Sequence, residues 1–346
     1  MLLDYCQVRH RDSNDSQEKG MDIVRISLED IKYATDNFSD EKCIGRGVHG
    51  KVFKGQLPHA NGQKVIAAKR LNTMNGQGDH EFFRELEILL KLTHRNVIGL
   101  EGYCDEKGEK IIVYEYAPNS SLDNLLNDAS LTWKKRLEIS IDVASGLEFL
   151  HGDLLRRETV LHRDIKSSNI LLSKYWKAEI SNFRLSLISP NNQDIDYVIE
   201  GEPVGTAGYI DPVYLKTHTI SKAVDIYSFG VVLFEILCGR LAIPIGVDIQ
   251  DKEQYLGPLA KNFYEQNKLE ELVFEGIKEQ IVPLSLSTFA KVAYNCLHDE
   301  RSQRPTASEV VIQLKKALEF HVSCGFYKIG FLYWCVRQTR INSLHI

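Results

Sequence analysis

The alternation of apolar and polar positions changes character once along the chain. From Cys43 to Arg70 it reads as a strand, a glycine turn and a second strand, then Asn61-Gly62 as a hairpin turn, then the β-rich run Lys64–Lys69. An antiparallel sheet is therefore predicted. Before it, Ser27-Leu28-Glu29-Asp30 has the form of a capping box, opening a short helix through Leu28, Ile31, Ala34 and Phe38. After it, Glu81 to Leu92 reads as a helix and Ile111 to Tyr116 as a strand ending at Pro118-Asn119. Beyond that point the spacing is helical, with Trp133, Leu137, Ile141, Ala144 and Leu147 on one apolar face. The expected class is α+β: a small antiparallel β lobe with one long helix, then a larger α-rich lobe. The expected bounds are a disordered polar tail over 1–22, a capping helix over 23–37, the small lobe over about 38–117, the large lobe over about 118–320 and a tail over 321–346. No internal repeat is visible, and no low-complexity segment outside the first tail.

Composition narrows the function. With 346 residues, 43% hydrophobic and 26% charged, the chain can bury a substantial core. A net charge of -5 gives no basic footprint for nucleic acid, so no nucleic-acid partner is expected and any phosphate handling must be local. The seven cysteines are scattered without a Cys-x-x-Cys pair, which argues against a disulfide framework or zinc site and for a reducing compartment. The start of the chain offers neither a signal-peptide apolar stretch nor a myristoylation glycine. The most apolar run, Val322 to Val336, is interrupted by Lys328 and is shorter than the roughly 20 residues that span a bilayer. We read it as a packing or docking tail, and its Cys324 and Cys335 as packed thiols rather than lipid attachment points.

The densest chemistry lies in His162-Arg163-Asp164-Ile165-Lys166-Ser167-Ser168-Asn169. An Asp, a Lys two positions on and an Asn three further are spaced as phosphoryl transfer requires: a base for the attacking hydroxyl, a cation for the moving phosphate and a magnesium ligand. Asp164, Lys166 and Asn169 take those roles. Gly45, Gly47 and Gly50, followed by Val52, could mark a dinucleotide turn or a loop over nucleotide phosphates. A helix should follow the glycines in the first case, whereas Val52-Phe53-Lys54-Gly55 continues as a strand. Lys69 alone would be an ordinary strand-edge lysine and Glu85 a solvated helix acid. Within Val65-Ile66-Ala67-Ala68-Lys69 the lysine instead matches the strand that holds the α- and β-phosphates, with Glu85 placed to pair with it.

These elements in this order resemble the eukaryotic protein kinase family. Ile31-x-x-Ala34-Thr35-Asp36-Asn37-Phe38-Ser39 and Gly205-Thr206-Ala207-Gly208-Tyr209-Ile210-Asp211-Pro212 are similar to its plant receptor-like Ser/Thr branch, including the receptor-like cytoplasmic members. The resemblance covers about residues 24 to 320. It implies a two-lobed fold using ATP and Mg²⁺, with Ile44, Val52, Ala67 and Leu171 against the nucleotide. Backbone near Glu115 and Ala117 would meet the base, and Tyr114 would guard the back pocket. Leu89, Leu100, His162 and Phe183 would form an apolar stack linking the lobes, and Asp225 would brace the catalytic loop. Arg163 and the hydroxyls of Ser186, Ser189, Tyr197 and Thr206 would be the regulatory set, although loops are rich in hydroxyls in any case and Thr206 more often shapes the substrate groove. The resemblance further implies protein substrates or partner kinases, a membrane receptor kinase among them, and a cytoplasmic location, at the inner face of the plasma membrane through a partner.

The chain departs from the family pattern at three positions. Where Asp-Phe-Gly is expected it has Asn182-Phe183-Arg184. Asn182 offers a hard cation one neutral oxygen in place of a carboxylate, so metal affinity should fall. A unit charge lost about 4 Å from another, at an effective dielectric near 20, costs roughly 4 kcal/mol, or about a thousandfold in rate. Arg184 removes a glycine's freedom and is expected either to face solvent or to reach nucleotide phosphates. Val213 stands where the family has a glutamate paired with an arginine matched here by Arg304, which leaves that arginine without its expected partner. Two readings follow: a Ser/Thr protein kinase of weakened transfer, or a catalytically silent pseudokinase acting as a scaffold or allosteric partner. A metabolic kinase is a distant third.

Overall fold

The computed structural model describes residues 24–60, 62–73, 77–152, 158–189, 197–198, 202–243 and 255–323. The expected tail over 1–22, Asn61 of the hairpin turn, Cys324, Cys335 and the rest of the apolar C-terminal run lie outside the described residues, as does the side chain of Tyr197. The chain divides into two compact units, Met1–Thr93 with Ile98–Tyr116, and His94–Val97 with Ala117–Ile346.

The first unit is a sheet of six strands, β1 (Val24–Arg25), β2 (Cys43–Gly47), β3 (Gly50–His59), β4 (Gly62–Leu71), β5 (Leu100–Glu106) and β6 (Glu109–Glu115), in the order β1-β5-β6-β4-β3-β2. Every pairing is antiparallel except that of the two-residue β1 with β5. Helix α1 (Leu28–Ala34) starts at Ser27, whose hydroxyl oxygen accepts from the Asp30 N–H at 3.0 Å, and it buries Leu28, Ile31 and Ala34. Its apolar face joins Ile66, Ala68, Cys104, Ile111 and Val113 in one core. The expected helix through Phe38 ends earlier. Asp36, Asn37 and Phe38 all have positive φ, so Phe38 reaches this core from a left-handed turn rather than from the helix. Helix α2 (Gln77–Lys91) starts four residues before the Glu81 expected from the pattern.

The second unit is mainly helical. Helix α3 (Trp133–Leu150) begins at the Thr132 cap and buries all five residues of its expected apolar face. Arg136 on the same helix is also buried, its guanidinium donating to the carbonyls of Leu131, Leu126, Asp128 and Ile236 at 2.7 to 3.0 Å. Burial lowers its pKa to about 10. After α4 (Pro212–Thr217) comes α5 (Lys222–Cys238), apolar nearly all round and buried from Val224 onward. It is followed by α6 (Leu256–Glu265), the single turn α7 (Glu275–Lys278), α8 (Pro283–Cys296) packed on α5, and α9 over 307–323. Among its described residues there are also three short antiparallel pairs. Strand β7 (Thr159–Leu161) pairs with β10 (Leu187–Ser189), β8 (Ile170–Leu172) with β9 (Ala178–Ile180), and β11 (Tyr197–Val198) with β12 (Thr219–Ile220). The loop between β7 and β8 holds the densest motif of the sequence.

Candidate active site

In the first unit, the β3–β4 register sets Val52 opposite Lys69, and Lys69 Nζ donates to Glu85 Oε2 on α2 at 2.7 Å. Glu85 is fully buried, so this contact keeps two charges paired where water is scarce. Ala67 and Tyr114 are buried nearby in the sheet, Val52 is half-buried, and Ile44 and Glu115 are exposed. Burial raises the Tyr114 phenol well above its ordinary value, with the Glu85 charge adding to it. The Glu115 N–H donates to the Gly99 carbonyl at 3.0 Å. The β2–β3 turn needs a glycine at position 50. Its φ is +143°, and a Cβ there would lie 2.1 Å from the Arg70 carbonyl oxygen. Leu89 and Leu100 are buried in the same unit.

In the second unit the hairpin β8–β9 pairs Ile170 with Ile180, which brings Asn169 beside Ser181 and Asn182. The Ser181 N–H and hydroxyl both donate to the Asn169 carbonyl, at 2.9 and 3.0 Å. Asn169 Nδ2 donates to the Asp164 carbonyl at 2.7 Å and to Asp164 Oδ2 at 3.2 Å. With its amide nitrogen turned to Asp164, its Oδ1 faces Asn182, whose Nδ2 donates to it at 3.2 Å. The reverse setting of Asn182 would put two carbonyl oxygens together, so the two amides fix one another's orientation. Asn182 itself is left-handed, with φ 69°.

Asp164 is engaged at both oxygens. Thr206 Oγ1 donates to Oδ1 at 2.6 Å and accepts from Lys166 Nζ at 2.9 Å. Arg184 Nη2 lies 3.5 Å from Oδ2 and Lys166 Nζ 3.9 Å from it. The Arg184 side chain is only 12% exposed, so the solvent-facing alternative is set aside by the structure. The loop is braced by Asp225 of α5. Its Oδ2 accepts from the His162 N–H and Oδ1 from the Arg163 N–H, both at 2.8 Å, and His151 Nε2 is 3.1 Å from Oδ2. Burial opposes ionisation of Asp225, but the hydrogen bond and charge of His151 outweigh it and hold the carboxyl below its usual range. The His162 and Phe183 rings meet edge to face at 5.0 Å, and His162 Nε2 lies 3.0 Å from the Ser181 carbonyl. Leu171 is half-buried in β8, as is Ala117 at the start of this unit.

Arg163 donates to the Tyr214 hydroxyl at 2.8 Å and the Leu185 carbonyl at 3.2 Å. Ser186 is buried, its hydroxyl donating to the His162 carbonyl at 3.1 Å, and Ser189 is half-buried at the end of β10. Arg304 corrects the sequence expectation. It is not left without a partner by Val213, because Asp211 takes it in a two-point contact, Nη1 to Oδ2 at 2.8 Å and Nη2 to Oδ1 at 2.9 Å. Arg301 Nε adds a bond to Asp211 Oδ2 at 3.0 Å. The signal was present in Asp211-Pro212, an acid that also caps α4 through the Val213 N–H at 2.9 Å. A second residue missed in the sequence is Glu235, fully buried in α5, whose Oε1 accepts from the Tyr209 hydroxyl at 2.6 Å and the Ala242 N–H at 2.8 Å. A carboxylate inside the otherwise apolar run from Val231 to Cys238 was the available cue.

The protein kinase domain model matches residues 38–314. The receptor-like protein kinase ANXUR1 of Arabidopsis thaliana is 39% identical over 300 residues, 85% of this chain and 34% of that protein. The receptor-like protein kinase FERONIA of the same plant is 37% identical over 303 residues, 86% of this chain and 33% of that protein. The chain thus spans about a third of the length of these relatives. No helix among the described residues is long and apolar enough to cross a membrane. A lysine–glutamate pair in a β-rich unit, a braced His-Arg-Asp loop in an α-rich one and the match over 38–314 lead to one assignment: the chain belongs to the protein kinase family and has its two-lobed α+β fold.

Proposed function

We propose that this chain is a nucleotide-binding kinase domain of the Ser/Thr type in intracellular signalling, with phosphoryl transfer to protein hydroxyls weakened at its metal centre. The family uses ATP with a divalent cation. Lys69 and Lys166 are retained for phosphates and Asp164 for the hydroxyl proton. The observation that carries the weakening is the Asn182 to Asn169 hydrogen bond of 3.2 Å. To ligate a cation, Asn182 must give up this bond and turn its single neutral amide oxygen inward, a poorer ligand for a hard cation than the carboxylate of the family pattern. These residues do not fit a tightly held magnesium ion. Asp164 is positioned by Asn169 and Thr206, and the Thr206 hydroxyl sits on Oδ1 in the manner expected of an attacking hydroxyl.

The test is transfer from labelled ATP by the purified chain beside Asn182→Asp and Asp164→Asn. A low rate that Asn182→Asp raises by up to about a thousandfold, and that Asp164→Asn abolishes, is expected. Equal rates in the starting chain and Asn182→Asp would refute the metal-centre reading. The second reading, a silent pseudokinase working through partners, is favoured by the Arg184 guanidinium lying on the catalytic carboxylate. It predicts silence in both the starting chain and Asn182→Asp. Protein substrates, partner kinases and a membrane receptor kinase belong to either reading, supported by the receptor-like protein kinase names of the relatives, and a cytoplasmic place near the membrane is proposed with them. Arg163, Ser186, Ser189 and Thr206 remain the regulatory candidates. Phosphorylation of Ser186 or Thr206 would first break the bonds to His162 or to Asp164 and Lys166.

A further inference from the structure

The two substitutions flanking Phe183 act on one electrostatic neighbourhood, and in the same direction. Relative to the family's Asp-Phe-Gly, position 182 loses an anion and position 184 gains a permanent cation. Arg184 reaches the Asp164 carboxylate directly, and Asn182 is linked to it through Asn169, to which it donates and which in turn donates to Asp164. Arg184 Nη2 is 3.5 Å from Asp164 Oδ2, Asn169 Nδ2 is 3.2 Å from the same oxygen, and Lys166 Nζ is 3.9 Å from it. Two cations now face one carboxylate where the family pattern has two carboxylates and one cation. The side chains of Arg184, Lys166 and Asp164 are 12%, 22% and 1% exposed, so this balance is set where water screens little.

A divalent cation entering this cluster would meet the guanidinium as a like charge and would find amide N–H groups turned toward it. A phosphate would meet the opposite: a planar fork of donors on Arg184, an ammonium on Lys166 and the Asn182 amide at the same turn. The geometry points to a phosphate subsite that operates without a divalent cation, in which Arg184 and Lys166 take the terminal phosphates of a nucleoside triphosphate and Arg184 supplies charge that the family draws from magnesium. The Asp164 contact holds the guanidinium in place beforehand, so little side-chain freedom is lost when the phosphate arrives. This inference rests on the nucleotide-binding reading above and deepens it, since it specifies the charge state of the ligand.

The experiment is calorimetric titration of the full chain with ATP, once in excess EDTA and once in excess magnesium, with adenosine as a ligand lacking phosphates. Affinity for ATP in EDTA should equal or exceed that in magnesium. Arg184→Gln should weaken ATP binding in EDTA by about tenfold or more, the scale of one charge-assisted hydrogen bond, and leave adenosine unchanged. Arg184→Lys should fall between the two. If the starting chain binds ATP only with magnesium, or if Arg184→Gln binds ATP in EDTA as tightly as the starting chain, the subsite is refuted while the nucleotide reading stands. Should neither ATP nor adenosine bind under any condition, the nucleotide reading fails and takes the subsite with it. The comparison of EDTA with magnesium needs no substitution, so a variant that fails to fold does not decide the outcome.

Discussion

Glu235 makes the stability of this fold depend on pH in a direction opposite to that of most carboxylates. It is fully buried in α5; Oε1 is hydrogen-bonded to Tyr209 and to the Ala242 N–H, while Oε2 has no hydrogen-bond partner among the described residues. Burial raises its pKa to about 7, against the partial opposition of the Tyr209 hydroxyl, the nearby Ser167 hydroxyl and the Ala242 N–H. In the unfolded chain the same group titrates near the ordinary glutamate value of about 4.3. Between those two values the native state holds a proton that the unfolded state has released, so stability falls as pH rises. The contribution is complete below about pH 4 and is lost by the time pH has passed 7. At about 1.36 kcal/mol per pH unit the whole span amounts to about 4 kcal/mol. Glu235→Gln keeps the shape and removes the titration. The new amide N–H in place of Oε2 costs the same at every pH and cancels in a difference. Urea unfolding of both proteins at pH 5 and pH 8 is the assay. The starting chain should lose about 2 to 3 kcal/mol more than the variant between the two conditions. Parallel losses would refute the reasoning, because they would mean that Glu235 ionises inside the fold without penalty.

Asp211→Asn should destabilise the second unit by about 3 to 5 kcal/mol in a thermal or urea melt, since it strands the nearly buried Arg301 and Arg304 charges. Val213→Glu should leave the melt within about 0.5 kcal/mol, and a clear gain would show that Asp211 does not satisfy Arg304. Arg136→Met should cost about 3 kcal/mol or more in urea, because it strips several buried carbonyls of their donor at once. Gly50→Ala forces a Cβ against the Arg70 carbonyl at a strained φ. About 1 to 3 kcal/mol of local stability should be lost, read as faster amide exchange in β2 and β3.

What could be read from the sequence divides by the range of the determining interaction. The helix opened at Ser27, the apolar face of α3 and the Lys69–Glu85 pair all follow from residues a few positions apart, or from motifs whose order carries the geometry. Phe38 was misassigned to a helix because 3.6-residue spacing cannot distinguish a helix from three consecutive left-handed residues that deliver the ring to the same core. The partner of Arg304 is not legible locally because it lies 93 positions away, at the residue before the α4 proline and two positions from Val213. The direction of Arg184 was not legible either. A side chain with four torsions reaches solvent or a carboxylate from the same backbone, and only the folded position of Asp164 decides between them. Ser186 shows the same limit, since a loop hydroxyl is read as exposed until the carbonyl that takes its hydrogen bond is known.

Arg163 has φ 68°, a conformation that costs a non-glycine residue of order 1 to 3 kcal/mol unless its surroundings impose it. The imposing group is Asp225, in the first turn of α5, whose two oxygens hold consecutive backbone N–H groups of the loop. The bent loop is therefore a sprung part, latched by the beginning of a helix rather than by its own sequence. Because Asp225 is itself buried, the latch holds as long as the start of α5 stays packed, and Asp225→Ala should release the bend while the rest of α5 keeps its place. Asp164 would then lose its position in a protein whose circular dichroism still reported a folded chain.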